Sequence, residues 1–253
     1  MPLLEVDKLS KAFGGVKAVQ EVSFAVERGL VYSVIGPNGA GKTTLFNLIT
    51  GIYTPSEGDI RLDGQSIAGA APHQLALKGM ARTFQNLQIC MNMSALENVM
   101  VGAHLQLDRN LVTAMLRLPA LARRDALLRD EARELMRFVG LETYSNMAAN
   151  SMPYGALKRL EIARALAAKP RILFLDEPAA GLNSMETAEI DELVRKVADN
   201  DVTVVLVEHD MKMVMNISDR ILVLDYGKKL AEGTAREVRE NPDVIAAYLG
   251  SNV

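Results

Sequence analysis

The segment from Gly36 to Thr44 restricts the possible folds of this chain more than any other. It matches the pattern of a glycine, four residues and then Gly-Lys-Thr. An apolar run over residues 30–35 precedes it and predicts a buried strand, and residues 45–50 predict a short helix. A glycine-rich turn between a strand and a helix points backbone N–H groups at an anion, and the helix dipole adds to the attraction. The sequence therefore predicts a loop that binds the phosphates of a nucleotide.

Individual residues of this loop have predicted roles. Lys42 is expected to reach the β- and γ-phosphates, and the Thr43 hydroxyl is expected to hold a magnesium ion. The remaining residues supply backbone N–H groups or shape the turn. The predicted nucleotide-binding residues of the loop are Gly36, Pro37, Asn38, Gly39, Ala40, Gly41, Lys42, Thr43 and Thr44. The ligands that these residues predict are ATP and Mg²⁺.

The rest of the chain predicts an α/β fold with two additional parts. Residues 3–30 alternate between apolar and polar, which indicates antiparallel strands in an N-terminal β subdomain. Residues 93–149 have a helical pattern that opens with a capping box, Ser94 to Glu97, and they predict a helical subdomain. Helix and strand patterns alternate after residue 150, as is typical of a parallel sheet with flanking helices. We expect one domain over residues 1–253, with the helical subdomain inserted at about 93–149.

Composition excludes several classes of function. The net charge is −3, so charge does not suggest a nucleic-acid partner. Cys90 is the single cysteine, which excludes an intramolecular disulfide, fits a reducing cytoplasm, and is expected to be a small buried residue. No apolar run approaches the roughly 18 residues of a membrane span, and the N-terminus does not resemble a signal peptide. We expect a soluble cytoplasmic protein that reaches a membrane only through a partner.

Polar side chains follow each predicted strand of the parallel sheet. Gln85 follows a strand predicted over residues 80–84, Asp176 and Glu177 follow residues 172–175, and His209 follows residues 203–207. In open parallel sheets, ligands bind outside the carboxyl ends of the strands. We therefore expect these side chains to converge on the phosphates that the glycine-rich loop holds.

Each of these residues has a predicted chemical role. Asp176 is expected to hold Mg²⁺ directly or through water. Glu177 points elsewhere and is placed to deprotonate a water in line with the γ-phosphate. Gln85 would contact the metal or that water, and His209 would donate to the γ-phosphate oxygens. Each also has an ordinary interpretation, because acidic residues are common in turns and a lone glutamine or histidine is often structural.

The motifs and their order resemble the ATP-binding subunits of ABC transporters over essentially the whole chain. The resemblance is carried by the glycine-rich loop, Gln85, residues 152–155, Asp176-Glu177 and His209. It implies a P-loop NTPase core and a stacking contact of Phe13 with adenine. It also implies that the helical region 93–149 touches membrane subunits, with Gln85 at its hinge.

Residues 152–156, which we call the signature segment because they correspond to the family's signature motif, depart from the family pattern. The family commonly has Leu-Ser-Gly-Gly-Gln where this chain has Met152, Pro153, Tyr154, Gly155 and Ala156. The resemblance implies that Pro153, Tyr154 and Gly155 bind the γ-phosphate held by the opposite subunit of a dimer. Pro153 has neither a hydroxyl nor an N–H. One hydrogen bond to a charged oxygen is therefore lost, worth about 1.5–3 kcal/mol.

A narrower resemblance concerns one branch of the family, the larger of the two ATPase types in branched-chain amino acid importers. It rests on residues 81–86, 160–166, 176–183 and 244–250. It also rests on the arm, the part of the helical region at roughly 100–130, which is longer than in the smaller ATPase type. It implies a heterodimer with a second ATPase subunit, two transmembrane permease subunits and, indirectly, a periplasmic substrate-binding protein. The chain would then lie on the cytoplasmic face of the inner membrane.

Other functions remain open at this stage. The same ATPase could serve another cargo, such as lipopolysaccharide in export, because no residue here touches cargo. A soluble ABC ATPase that acts on ribosomes or DNA is a second alternative, although such proteins usually carry two such domains or basic extensions. A nucleotide-binding regulator that hydrolyses poorly because of Pro153 is a third.

Overall fold

The computed structural model of this protein describes residues 2–103 and 119–249, and it divides the chain into two compact units. The first unit contains the residues up to Arg82 and those from Arg171 onward, and the second unit runs from Thr83 to Pro170. Within the described ranges, every helix is too short or too polar to cross a membrane. Parts of two segments named above, residues 104–118 of the arm and residue 250, lie outside the described residues.

The strands all belong to the first unit. They are β1 Leu4–Phe13, β2 Val16–Val26, β3 Val31–Ile35, β4 Glu57–Leu62, β5 Gln65–Ser66, β6 Met80–Arg82, β7 Ile172–Asp176, β8 Thr203–Val207, β9 Arg220–Asp225 and β10 Lys228–Gly233. The helices are α1 Lys42–Ile49, α2 Pro72–Leu77, α3 Ala95–Gly102, α4 Pro119–Phe138, α5 Tyr154–Leu166, α6 Ser184–Ala198, α7 Met211–Ile217, α8 Ala235–Arg239 and α9 Pro242–Leu249.

Two sheets build the first unit. The antiparallel sheet has the order β2-β1-β4-β5, and the larger sheet has the order β10-β9-β3-β8-β7-β6. In the larger sheet all neighbours are parallel except β9 and β10. Every residue of β3, β7 and β8 is buried, as expected of parallel strands covered on both faces. The carboxyl ends of these three strands meet at one edge, since Asp176 of β7 lies beside Val207 of β8.

The second unit is helical. Its helices α3, α4 and α5 bury apolar side chains such as Val99, Met136 and Leu160. The predicted capping box begins α3, where Ser94 Oγ accepts the N–H of Glu97 and the Glu97 carboxylate accepts the N–H of Ser94. This unit contains the whole of the predicted subdomain at 93–149 and extends beyond it at both ends.

Three sequence-based expectations are wrong in detail. Strand β6 ends at Arg82 instead of residue 84, because it is an edge strand that pairs with β7 over only three residue pairs. Helix α1 covers Lys42–Ile49 instead of residues 45–50, because Gly41 is its N-cap and the helix starts directly after the glycine-rich turn. Cys90 is exposed instead of buried. It lies in a loop whose backbone is held by the Asn98 side chain, so the thiol is not needed for packing.

Candidate nucleotide-binding site

The glycine-rich loop connects the end of β3 to the start of α1, as the sequence predicts. Gly41 is the N-cap of α1 and has a φ of 96°, a left-handed conformation that favours glycine. Gly36 passes so close to β9 that a Cβ atom there would overlap the carbonyl oxygen of Leu224. The two glycines are therefore required by the course of the backbone.

Lys42 is the first residue of α1, where the loop enters the helix. Its Nζ atom donates to the carbonyl oxygens of Gly36 and Pro37, at 2.7 and 3.0 Å. The residue is only 5% exposed. Burial lowers the pKa of Lys42, and the negative charge of Glu177 opposes that shift. The loop thus holds a cation where phosphates are predicted to bind.

A cavity of about 280 Å³ lies over the loop. It is lined by residues 38–44, Ala18, Glu177 and His209. These residues come from β2, from the turn after β3, from the first turn of α1 and from the segments that follow β7 and β8. The structure therefore brings together the loop, Glu177 and His209, which are far apart in sequence.

Glu177 and His209 are in direct contact inside this cavity. The Glu177 Oε1 and His209 Nε2 atoms are 2.8 Å apart. A carboxylate accepts hydrogen bonds, so the imidazole donates from Nε2. The Glu177 side chain is 18% exposed and the His209 side chain is 45% exposed. The Glu177 carboxylate is therefore partly open to solvent and accepts a hydrogen bond from His209.

Asp176 is the last residue of β7 and is almost entirely buried. Its Oδ2 atom accepts a hydrogen bond from Nη2 of Arg82 at 2.7 Å. Together with the exposed Thr43 hydroxyl, it offers one carboxylate and one alcohol oxygen. Magnesium commonly takes one or two carboxylates and completes its shell with waters and substrate phosphates. This donor set fits that pattern, and no group of three or more ligating side chains that could hold a metal by itself occurs among the residues of the described ranges.

Two charged residues that sequence reasoning missed also belong to this region, Arg82 and Glu208. Glu208 is 4% exposed. Its Oε1 atom accepts the N–H of Ala179 and its Oε2 atom accepts the N–H of His209, at 2.8 and 2.9 Å. It therefore ties together the loops that carry Glu177 and His209. An acidic residue directly between an apolar strand and His209 was the available signal.

Gln85 belongs to the second unit, in the loop that precedes α3. The backbone N–H groups on either side of it, those of Phe84 and Gln88, donate to the Glu161 carboxylate of α5. Glu161 is 6% exposed, and burial raises its pKa. The loop that carries Gln85 is thus anchored to the helix that follows the signature segment.

The remaining predicted residues differ in exposure. Pro153 is the N-cap of α5 and provides no side-chain cap, Tyr154 is exposed with Lys158 Nζ 5.8 Å from its ring centroid, and Gly155 is buried in the first turn. Phe13 is 43% exposed and packs edge-to-face on Tyr53, with 5.3 Å between ring centroids. One aromatic side chain is therefore available at the end of β1, and its contact with adenine stays a prediction.

Comparisons with known proteins show which family the chain resembles. A family model described as ABC transporter matches residues 19–180, and one described as branched-chain amino acid ATP-binding cassette transporter matches residues 228–253. The chain is 48% identical to the high-affinity branched-chain amino acid transport ATP-binding protein BraF of Pseudomonas aeruginosa, over 98% of both chains. It is 45% identical to LivG of Escherichia coli K12, which has the same description, again over 98% of both. A crystal structure of the ADP conformation of an ATP-binding cassette matches with a TM-score of 0.86 and 30% identity, over 99% of both chains.

Proposed function

This chain belongs to the ABC transporter family of ATP-binding proteins, and from that premise we propose that it powers the import of branched-chain amino acids. It is an ATP-binding and ATP-hydrolysing transporter subunit. The observation that carries the proposed reaction is the cavity that Lys42, Glu177 and His209 share. The cargo is proposed from the relatives, whose printed names specify branched-chain amino acid transport.

Each residue of the site has a distinct part in the proposed reaction. The backbone N–H groups of residues 38–44 and the Lys42 ammonium hold the phosphates. Thr43 and Asp176 would hold Mg²⁺, which supplies positive charge beside the phosphates. Glu177 takes the proton of the attacking water, and His209 keeps the Glu177 carboxylate oriented for that step. Gln85 would contact the metal or the water through its neutral side chain, as the family resemblance implies.

The proposed assembly follows from the same family. A second ATPase subunit would pair with this chain. Pro153, Tyr154 and Gly155 would then complete the partner's site, and the partner's own signature segment would complete the site of this chain. Two permease subunits would anchor the pair at the cytoplasmic face of the inner membrane, and a periplasmic protein would deliver leucine, isoleucine or valine.

Uptake of labelled leucine tests the proposal in cells whose only copy of this chain carries Glu177→Gln. The substitution keeps size and hydrogen bonding but removes the base, so uptake should fall at least about 100-fold. Glu192→Gln, an exposed change on α6, is the matched control and should not alter uptake. Labelled proline measures nonspecific damage to transport.

Two results would contradict the proposal. Normal leucine uptake in cells with Glu177→Gln, combined with lost hydrolysis in the purified variant, would leave an ATPase with another cargo. Unchanged hydrolysis in the purified variant would overturn the role of Glu177 as the base.

A further inference from the structure

Arg82 is a buried cation at the carboxyl end of the edge strand β6. Its side chain is 9% exposed, and that of its partner Asp176 is 7% exposed. A buried charge is costly unless it is paired and hydrogen-bonded, so the surroundings of Arg82 must satisfy it closely. The site described above gives Arg82 no role beyond this pair.

The guanidinium of Arg82 joins two elements through three hydrogen bonds. Nη2 donates to Asp176 Oδ2 at 2.7 Å. Nη1 donates to Asn47 Oδ1 and to Thr50 Oγ1, each at 2.7 Å. Asn47 and Thr50 lie at the end of α1, the helix whose first turn belongs to the phosphate-binding loop. A guanidinium suits this task because its nitrogens form a rigid planar fork, which a lysine ammonium does not.

The aromatic ring of Phe46 adds a further contact. The guanidinium carbon lies 5.8 Å from the centroid of this ring, and Phe46 is itself fully buried. A cation over an aromatic face is attracted to it. Arg82 is therefore held on several sides, and one of its hydrogen bonds ends on the Asp176 carboxylate.

We propose that Arg82 is a positioning residue for the magnesium site, which holds the Asp176 carboxylate in register with α1. The inference rests on the proposed function, because it takes Asp176 as a ligand of Mg²⁺. Carboxylates that ligate metals are oriented by hydrogen bonds from outer residues, and losing such a partner typically reduces metal affinity about 10- to 100-fold. Arg82 supplies that bond to Asp176, and its anchoring to Asn47 and Thr50 determines its direction.

The test is a titration with Mn²⁺ as the probe, followed by electron paramagnetic resonance in the presence of a non-hydrolysable ATP analogue. Arg82→Lys keeps the charge but removes the fork, so the dissociation constant of Mn²⁺ should rise about tenfold. The matched control is Arg171→Lys, because Arg171 pairs with Asp63 at 2.9 Å on the surface of the same unit. Melting curves confirm that each variant is folded, and binding of the analogue in EDTA checks that the loop is intact.

A second substitution separates the positioning role from the proposed ligand. If Arg82 acts through Asp176, then Arg82→Lys should change Mn²⁺ affinity less than about twofold when Asp176→Asn is already present. A tenfold loss that persists in that background would overturn the inference. So would Mn²⁺ affinity within about twofold of wild type, or tighter binding, in Arg82→Lys alone. Unchanged Mn²⁺ affinity in Asp176→Asn alone would instead contradict the proposed metal site.

Discussion

At the scale of single residues, Glu177 has a strained backbone conformation at the position where we propose the catalytic base. Its φ is 50°, in the left-handed region that costs a residue with a side chain about 1–3 kcal/mol. The conformation is held by the bond from its N–H to the Val207 carbonyl at 2.9 Å. It turns the Glu177 side chain toward His209 while Asp176, one residue earlier, is paired with Arg82. Adjacent carboxylates are thereby given separate environments.

Asp191 is a residue whose cost to stability depends on pH. It lies on α6, half-buried, and its Oδ1 atom is buried without a hydrogen-bond partner among the described residues. Burial raises the pKa of Asp191 to about 6, with the charges of Asp210 and Glu208 adding to the shift and Lys212 opposing it. A folded pKa above the unfolded value means that the protonated form is favoured by folding. Stability is therefore expected to fall as pH rises from about 4 to about 6.

Asp191→Asn removes this charge and should stabilise the protein near neutral pH. We expect a gain of about 1 kcal/mol at pH 7.5, after allowing for solvent screening, or about 2–4 °C in Tm. The gain should vanish near pH 4, where the wild-type carboxyl is protonated in the folded state. Thermal melts at both pH values measure it, with Glu192→Gln as the exposed control on the same helix. A gain of equal size at both pH values would contradict the assignment.

At this scale the sequence predicts the loop, Asp176, Glu177 and His209, because each is marked by its place after an apolar run. It does not predict the positions of Arg82 or Glu208. Both are charged residues beside strand ends, a place where solvated side chains are common. Their burial depends on partners distant in sequence, such as Asn47 for Arg82 and Ala179 for Glu208. Short sequence patterns do not reveal hydrogen-bonded pairs whose members are distant in sequence.

At the scale of helices and strands, agreement is best where local chemistry decides the boundary. The capping box of α3 is predicted from Ser94 and Glu97, and the structure contains it. Helix α6 begins with a similar arrangement, in which Asn183 Oδ1 accepts the N–H groups of Met185 and Glu186. Boundaries set by partners were less accurate. Strand β6 ends where its pairing with β7 ends, and the sequence does not specify that limit.

The last described helix, α9, contacts the phosphate-binding loop. Tyr248 packs on a cluster of buried residues that includes Ile35, the last residue of β3. The N–H of Gly36 donates to the Tyr248 hydroxyl, whose pKa is raised by burial to about 12. This contact links the C-terminal region that matches the branched-chain family model to the first glycine of the loop.

Tyr248→Phe removes only the hydroxyl and leaves the packing in place. A hydrogen bond is worth about 1 kcal/mol, so ATP affinity should fall by up to about fivefold. Hydrogen exchange at the Gly36 amide should become faster. Tyr226→Phe is the control, because Tyr226 is 82% exposed. Titration calorimetry measures the affinity, and unchanged affinity together with unchanged exchange would show that the contact has no effect on the loop.

At the scale of the whole molecule, the predicted site residues are divided between the two units. The first unit carries the loop, Asp176, Glu177 and His209, and the second carries Gln85 and residues 153–155. We propose that the signature segment of one chain completes the nucleotide site of another. If so, the site residues of a single chain are not sufficient for full activity. A chain without a partner should lack part of the positive environment around its γ-phosphate.

Hydrolysis should therefore depend on assembly. Lost contacts to a transferring phosphoryl group commonly cost about 100-fold, so phosphate release per chain should rise at least tenfold on addition of the partner ATPase. Lys42→Ala in this chain is a second test. It removes the ammonium group that holds the phosphates in its own site, but it keeps residues 153–155. Mixed with the partner, it should still support hydrolysis in the partner's site. A rate per chain that does not change with the partner would contradict shared sites.

The second unit also has a topological role. It leaves the sheet after β6 and returns to it at β7, and these strands are parallel neighbours. A parallel pair needs a crossover of a dozen or more residues and cannot be closed by a tight turn. The helical unit is therefore the chain's return path to the sheet. Evolution or protein engineering can lengthen, shorten or replace this insertion, but removing it outright would leave β7 without a route back to its place.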